Sequence, residues 1–494
     1  MTASEETPLL QPVGFPNIDH GVRETEIIID FVSEGDVENP RDWPATYKWA
    51  IVSLLAFMAF TVTFTCISVV PIAANIAKEL DGADADSSST AVLVTIWELG
   101  EAFGPLLIAP LSEIFGRYPV MNGCNILFIF TTLLAATSNS TKLFIAARAL
   151  TGATVASNVL NPAIIGDMFE SEQRGSAMSL VTLTPLIGGA VGPAISSAIA
   201  DTLGWREVLF IATGIAVVCE LLFLVFFRET YQMTILRRQL AKLEKKEGIR
   251  HNHASRENLK KILHSITRPV AILYSSSVLM MLSGFSSVAF SYYYVMCTSL
   301  PEILHAVYGF SPALTGTAFM SFSAGSFLAV LLSNFALDRI FIYLRGPDHK
   351  DGKPEHRLPL ALIGAFTLPL CVTAYGWVAE LHLPVPLLLV CVGLLGFTLV
   401  LTTVPVFAYV VDAFGPYSAS AITGIIVIRC LISSFLPLIT GPLAKYLGNG
   451  WGFTYCGAFS LCLAPVSILV FRYGYRWRQR CEFTRDEWVE NLMD

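Results

Sequence analysis

The chain has 494 residues, a formal net charge of −7, 54% hydrophobic residues and 14% charged ones. A soluble domain carries about 25% charged residues, so this composition excludes one and points to a protein solvated by lipid. Ten cysteines are scattered without paired metal-ligand spacing, which argues against a metal site or a disulfide framework; Cys124, Cys219, Cys371 and Cys391 fall in apolar stretches, as small buried hydrophobes do.

Residues 1–45 are polar and acidic and read as a disordered cytoplasmic tail with no cleavable signal peptide. Twelve apolar stretches follow, at 46–71, 92–111, 121–138, 143–166, 176–200, 207–227, 270–297, 311–336, 358–378, 384–411, 418–439 and 451–473. About 20 apolar residues cross a hydrocarbon layer of about 30 Å. Backbone polar groups in that layer must be satisfied internally, so each stretch is predicted to be a helix. The fold class is an all-α membrane protein with twelve transmembrane helices.

The longest interruption, 228–269, divides the chain into an N-terminal bundle (46–227) and a C-terminal bundle (270–473), followed by a cytoplasmic tail (474–494). Within the linker, Ile235, Leu236, Leu240 and Leu243 share a broad helical face. That suits an amphipathic helix on the inner surface, or a plain charged tether. Lys and Arg fix the expected sides. With the amino terminus inside, the inner segments hold 26 of them: three up to Lys48, Arg117, Arg174, eleven in 228–268, five in 337–357 and five after 471. The outer segments hold four, so both termini are expected in the cytoplasm. The sequon at Asn139 sits in a very short outer loop, too near the bilayer for a good glycosylation site.

Ionisable residues at membrane depth are costly and functional by default. Glu98 and Glu101, in TIWELGEAFGP, lie three apart on one face of span two. Like charges that close oppose joint ionisation, so the pair, with Arg148, is the expected proton-coupling group. A structural pairing of either acid with Arg148 or a hydroxyl explains the same residues. Arg429, about twelve residues into span eleven, needs an acid, several carbonyls or a ligand carboxylate. Glu220 stands among apolar neighbours as a candidate ligand contact. Asn158 and Asn161, three apart on span four, offer donors and acceptors to a cavity. Aromatic candidates are Phe285, Phe290, Tyr292, Tyr293 and Tyr294 on span seven, and Phe407 and Tyr409 after Pro405 on span ten. Three consecutive tyrosines point in different directions, so some belong to the interfacial belt. An aromatic, weakly polar cavity suits amphipathic organic molecules, although lipid contact or packing explains each ring taken singly.

The loop APLSEIFGRYPV (109–120) places Glu113 and Arg117 four apart, with Gly116 allowing a tight turn. Such a pair can latch the inner helix ends; an ordinary helix-end ion pair is the plainer reading. Asp167, near Arg174 at the inner end of span four, is expected to join Glu113 and Arg117.

The same loop resembles that of the major facilitator superfamily, which has a Gly, an acid four residues later, then Gly-Arg. Here the positions are Ala109, Glu113, Gly116 and Arg117. The second-half echo has Asn334 in place of Gly, followed by Asp338 and Arg339. RALTGATVASNVLNPAIIGDMF (148–169) is similar to the fourth-span motif of drug:proton antiporters, and the resemblance gives Arg148 a part in proton coupling. TPLIGGAVGP (184–193) is similar to the fifth-span antiporter motif, with Gly188, Gly189, Gly192 and Pro193. The resemblance implies a bias toward outward transport; close packing of small residues accounts for the run equally. ENPRDWPATYKW, RETYQMTILRRQ, PEHRLP and VVDAFGPYSASAITGIIVIRC resemble the twelve-span drug:proton antiporters of ascomycete fungi, across about 40–480.

The resemblance implies two pseudo-symmetric six-helix bundles that export amphipathic organic compounds by proton antiport. Coupling would fall to Glu98, Glu101 and Arg148, cargo contact to the polar and aromatic candidates with Arg429, and gating to the two loops and the fifth-span motif. An exporter of a small carboxylate, met by Arg429 or Arg148, is the alternative; a transporter-like receptor is a second. No G-x-x-x-x-G-K-[ST] run is present, so no nucleotide is expected, and no nucleophile–base set suggests an enzyme. Expected partners are a small-molecule substrate, protons and membrane lipids, with no nucleic acid, no cofactor and a monomeric chain. The expected location is the plasma membrane, with the vacuolar membrane as the other possibility.

Overall fold

The computed structural model describes residues 39–81, 87–170, 174–247, 267–345, 353–481 and 483–484. The expected acidic tail up to residue 38, linker residues 248–266 and the tail from 485 lie outside the described residues.

The helices run in chain order as α1 (Ala45–Ile67), α2 (Ala73–Asp81), α3 (Ser87–Phe115), α4 (Arg117–Ala136), α5 (Thr141–Ala153), α6 (Ser157–Met168), α7 (Arg174–Thr202), α8 (Trp205–Phe226), α9 (Gln232–Glu247), α10 (Ser277–Ala306), α11 (Pro312–Arg345), α12 (Pro359–Glu380), α13 (Val385–Phe414) and α14 (Ser418–Arg478). A helical stretch at 267–275 precedes α10. The two are separated at Ser276, whose hydroxyl accepts from the Leu279 N–H and caps the new helix start.

At 61 residues, α14 holds about 90 Å of helical rise measured along the chain, in two arms joined at a sharp turn, each arm long enough to span the hydrocarbon layer. It therefore crosses twice. The turn is at Gly448, with φ 80° and ψ 162°, a conformation that favours glycine. Glu380 accepts from the Asn449 N–H there at 2.7 Å and starts the next helix. Twelve crossings result, as the apolar pattern predicts. One span differs in detail. The predicted span 143–166 is two helices, α5 and α6, separated at residues 154–156. The linker's amphipathic pattern does form a helix, α9, with Ile235 buried.

Two crossings join the halves. In one, α7 lies on α1 and on α11; in the other, α3 lies on α14. Small residues make the first possible. A Cβ at Gly188 would stand 3.1 Å from the Phe60 carbonyl, and one at Gly316 would stand 2.1 Å from the Pro193 carbonyl. A Cβ at Gly192 would meet the Ser68 hydroxyl at 3.3 Å, and one at Gly189 would face Ser323 of the other half at 3.8 Å. The antiporter-like run thus touches α1 with Gly188 and Gly192 and the second half with Gly189 and Pro193. Within the first half, Gly100 and Gly152 bring α3 against α5 backbone to backbone, since a Cβ at either would overlap a carbonyl oxygen. That contact fixes the face of α3 carrying Glu98 and Glu101.

One end of the bundle carries Arg117, Arg174, Arg228, Arg357 and Arg478 and is called the basic end below. The opposite end is tied by Arg206, which pairs with Glu79, and by Trp205, which donates to the same carboxylate at 2.7 Å.

Candidate functional site

Glu98 and Glu101 are one turn apart on α3, 2% and 6% exposed. Groups from the second half reach each of them. The Tyr294 hydroxyl on α10 donates to Glu98 Oε1 at 2.6 Å. Arg429 Nη2 on α14 donates to Glu101 Oε1 at 3.4 Å. Glu101 is held further by Asn158 Nδ2 at 2.6 Å and by Trp97 Nε1 at 3.2 Å. Glu98 Oε2 is buried and meets no hydrogen-bond partner among the described residues. The Arg429 guanidinium lies over the Phe290 ring, 4.3 Å from its centroid, a favourable placement for a cation in a dry site. Sequence spacing puts the two acids on one face, and the structure does so. What spacing does not tell is that their partners come from across the boundary between halves.

Cys430 Sγ and one oxygen of each acid lie within 4.8 Å of one another. The Arg429 guanidinium supplies positive charge at the same spot, so the cluster is already an ion-paired acid site.

Several expected site residues lie elsewhere. Arg148 makes no ion pair with the acids. Its Nη1 and Nη2 donate to the Thr65 and Cys66 carbonyls at 3.2 and 3.0 Å, and its guanidinium stacks over Trp97 at 4.6 Å. Arg429, not Arg148, is the cation on the pair. Asn158 and Asn161 do not act as one polar face: Asn158 turns to Glu101, while Asn161 is buried and donates to the Leu55 carbonyl at 3.3 Å. Glu220 is buried inside the first half, accepting from Asn125 at 2.7 Å. Phe285 packs with Ala365 and Ala464, and Tyr292 donates to the Cys456 carbonyl at 2.6 Å, so both are second-half core. Phe407 and Tyr409 pack in the apolar cluster with Leu358, Val406 and Ile425. A helix surrounded on all sides offers apolar residues to several neighbours, and sequence spacing cannot say which neighbour is the cavity. The aromatic wall near the acids is Phe290, Tyr293, Tyr294 and Phe322, with Tyr293 and Phe322 centroids 4.8 Å apart.

At the basic end the expected Glu113–Arg117 pair is replaced. Arg117 Nε bonds Asp167 Oδ2 at 3.2 Å, its Nη1 donates to Ser112, and the guanidinium lies 4.7 Å from the Tyr231 ring centroid. Burial, with Glu113 nearby, pushes the Tyr231 phenol above its ordinary value. Glu113 is exposed. Glu229, just after α8, accepts from the Arg117 and Tyr118 N–H groups at 2.7 and 3.3 Å and caps α4. Gly116 has φ 102°, and a Cβ there would stand 2.2 Å from the Glu229 carboxylate, so both backbone and space require glycine. The expected second-half echo is at Asp338 and Arg339. Arg339 is exposed, and the side chain of Asp338 lies outside what is described. The counterpart is Arg357 Nε bonded to Asp412 Oδ2 at 2.8 Å, beside Arg478 and the buried Glu355 at 3.6 Å. PEHRLP and VVDAFGPY contain Glu355, Arg357 and Asp412, but 55 positions separate the bonded pair, and sequence alone does not join them.

A cavity of about 660 Å³ opens between the halves toward the opposite end. Val94, Cys297, Pro437 and Phe453 line its depth, and Lys78, Glu302, His305 and Lys445 its polar part. Val94 is one turn before Glu98, and Cys297 is three residues after Tyr294.

The family model described as Major Facilitator Superfamily matches residues 50–437. The efflux pump radE of Floropilus chiversii is 30% identical over 464 residues, covering 92% of this chain and 86% of that protein. The MFS-type transporter penM of Penicillium rubens is 30% identical over 482 residues, covering 95% and 94%. Among solved structures, a D-xylose-proton symporter superposes with a TM-score of 0.64 at 15% identity, covering 85% of this chain and 97% of that one. The human organic anion transporter MFSD10 gives 0.59 at 16% identity, covering 86% and 100%. At these identities the solved structures speak for the fold alone.

Proposed function

This chain belongs to the major facilitator superfamily and is a multi-pass membrane transporter, and we propose that it exports amphipathic organic compounds in exchange for protons. The observation that carries the reading is the buried acid pair at the boundary, each acid bonded to a group of the opposite half. A charge that forms or disappears there changes the contacts that hold the halves together. Proton binding and cargo binding then shift the population between two arrangements, by as much as each ligand prefers one over the other. The similarity to radE, an efflux pump, supports the outward direction.

Asn158, Phe290, Tyr293 and Phe322 give the region beside the acids a weakly polar, aromatic wall suited to amphipathic cargo. The Arg429 charge is already met by Glu101, which favours neutral or cationic cargo over a carboxylate. The concentration of Lys and Arg at one end supports a cytoplasmic placement of that end, with the plasma membrane as the site of export. The ion-paired basic ends would close the cytoplasmic side in one state and part in the other.

Purified protein in liposomes with an imposed pH gradient tests the reading. Uphill movement of cationic or neutral amphiphiles, lost when the gradient is collapsed, is the expected result. Uphill movement that persists after collapse overturns it.

A further inference from the structure

We infer that Tyr294 is a bolt between the halves that holds while Glu98 is ionised and slackens when Glu98 takes a proton, so that the empty chain cannot reset without one. The inference rests on the antiport reading above and gives that site its safeguard against proton leak.

Of the three consecutive tyrosines, Tyr292 bonds within its own half, and Tyr293 stacks on Phe322 of the same half. Tyr294, 4% exposed, reaches across to the Glu98 carboxylate. A phenol donating to a carboxylate makes a charge-assisted bond, about twice as strong as a neutral one. A proton on Glu98 turns the acceptor into an ordinary carbonyl and removes that assistance. Oε2, buried and without a partner, can receive the proton while Oε1 keeps facing Tyr294. The bond also stands where a bolt must stand. Val94 and Cys297, neighbours of the two residues along their helices, line the 660 Å³ cavity, so the Tyr294–Glu98 contact lies about one helical turn beyond its wall. On the first-half side, Cys66 Sγ lies 3.9 Å from the Tyr294 hydroxyl, and Arg148 stiffens that end of α1 through the Thr65 and Cys66 carbonyls.

Among the described residues, the charged or titratable groups facing the pair are Glu101 on α3, Arg429 and Cys430 on α14, Arg148 on α5, Cys66 on α1, and Tyr293 and Cys297 on α10. Arg429 is engaged by Glu101, so it stays in place when Glu98 changes charge. An antiporter must block one transition above all: the return of a chain that carries neither proton nor cargo. In that state Glu98 is ionised and the bolt is at full strength. A proton releases it by neutralising Glu98, and cargo releases it by offering Glu98 another donor.

Tyr294→Phe removes one oxygen and keeps the ring against Tyr293. In liposomes without cargo, the full-length variant should dissipate an imposed pH gradient about tenfold faster than the parent; with cargo present it should accumulate less at the same gradient. Glu98→Gln/Tyr294→Phe should leak no faster than Glu98→Gln alone. Met296→Leu, a volume-conserving change at a buried position two residues along α10 that spares the bond, should hold the gradient as the parent does. A Tyr294→Phe variant as tight as the parent, a leak added on top of Glu98→Gln, or a leaking Met296→Leu overturns the bolt while leaving antiport standing. A parent that moves no protons with cargo overturns the antiport reading, and the bolt with it.

Discussion

The two halves match at their ends and differ at their centre. At the basic end, Arg117–Asp167 in the first half is echoed by Arg357–Asp412 in the second, and each arginine sits over an aromatic ring, Tyr231 or Phe341. At the centre, both acids belong to the first half, and the phenol and guanidinium that meet them belong to the second. Under the proposed exchange, repetition would serve closure, which both halves need in the same way. Asymmetry serves chemistry, because an acid pair facing its own copy would place four like charges in a dry interface.

The comparison breaks most sharply at Glu101. Glu101→Gln leaves Arg429 buried without its counter-charge, and losing one partner of a buried pair costs about 3–5 kcal/mol. We expect a lower unfolding temperature and no uphill flux. Arg429→Gln together with Glu101→Gln should recover part of the unfolding temperature without recovering flux; a double variant no more stable than the single one would refute the pairing.

The next largest effect concerns the ends. Arg117→Ala should reduce flux more than Arg357→Ala, because Arg117 is the more buried and also bonds Ser112. Equal losses, compared at matched expression in a flux assay, would make the repeat functionally exact. A smaller effect follows from Glu220, which the structure removes from the boundary. Glu220→Gln can keep the bond to Asn125, so flux and its pH profile should match the parent. Glu113→Gln should be smallest of all, with flux indistinguishable from the parent, since Glu113 is exposed and Arg117 is bonded to Asp167.

The placement of Glu98 and Glu101 on one face of span two was legible, since a spacing of three on a helix leaves little choice. So was an ion pair for Arg117 at the helix boundary, because the loop around Gly116 is compact and local. The partners were not legible. Glu229 lies 112 positions from Arg117, and Tyr294 lies 196 from Glu98. Glu113 stands at the helical spacing for an ion pair, yet Asp167 is bonded instead, because the last turn of α6 brings a better-placed carboxylate against the same guanidinium.

Composition and period determined that the chain is a membrane protein of twelve helical crossings, because lipid leaves the backbone no other way to satisfy its polar groups. Which costly side chains meet which was decided only by the packing of one half on the other. Arg148 and Arg429 look alike in sequence, each a lone arginine inside an apolar span. Close backbone contact between α3 and α5 turns Arg148 to carbonyls, and the α3–α14 crossing turns Arg429 to an acid.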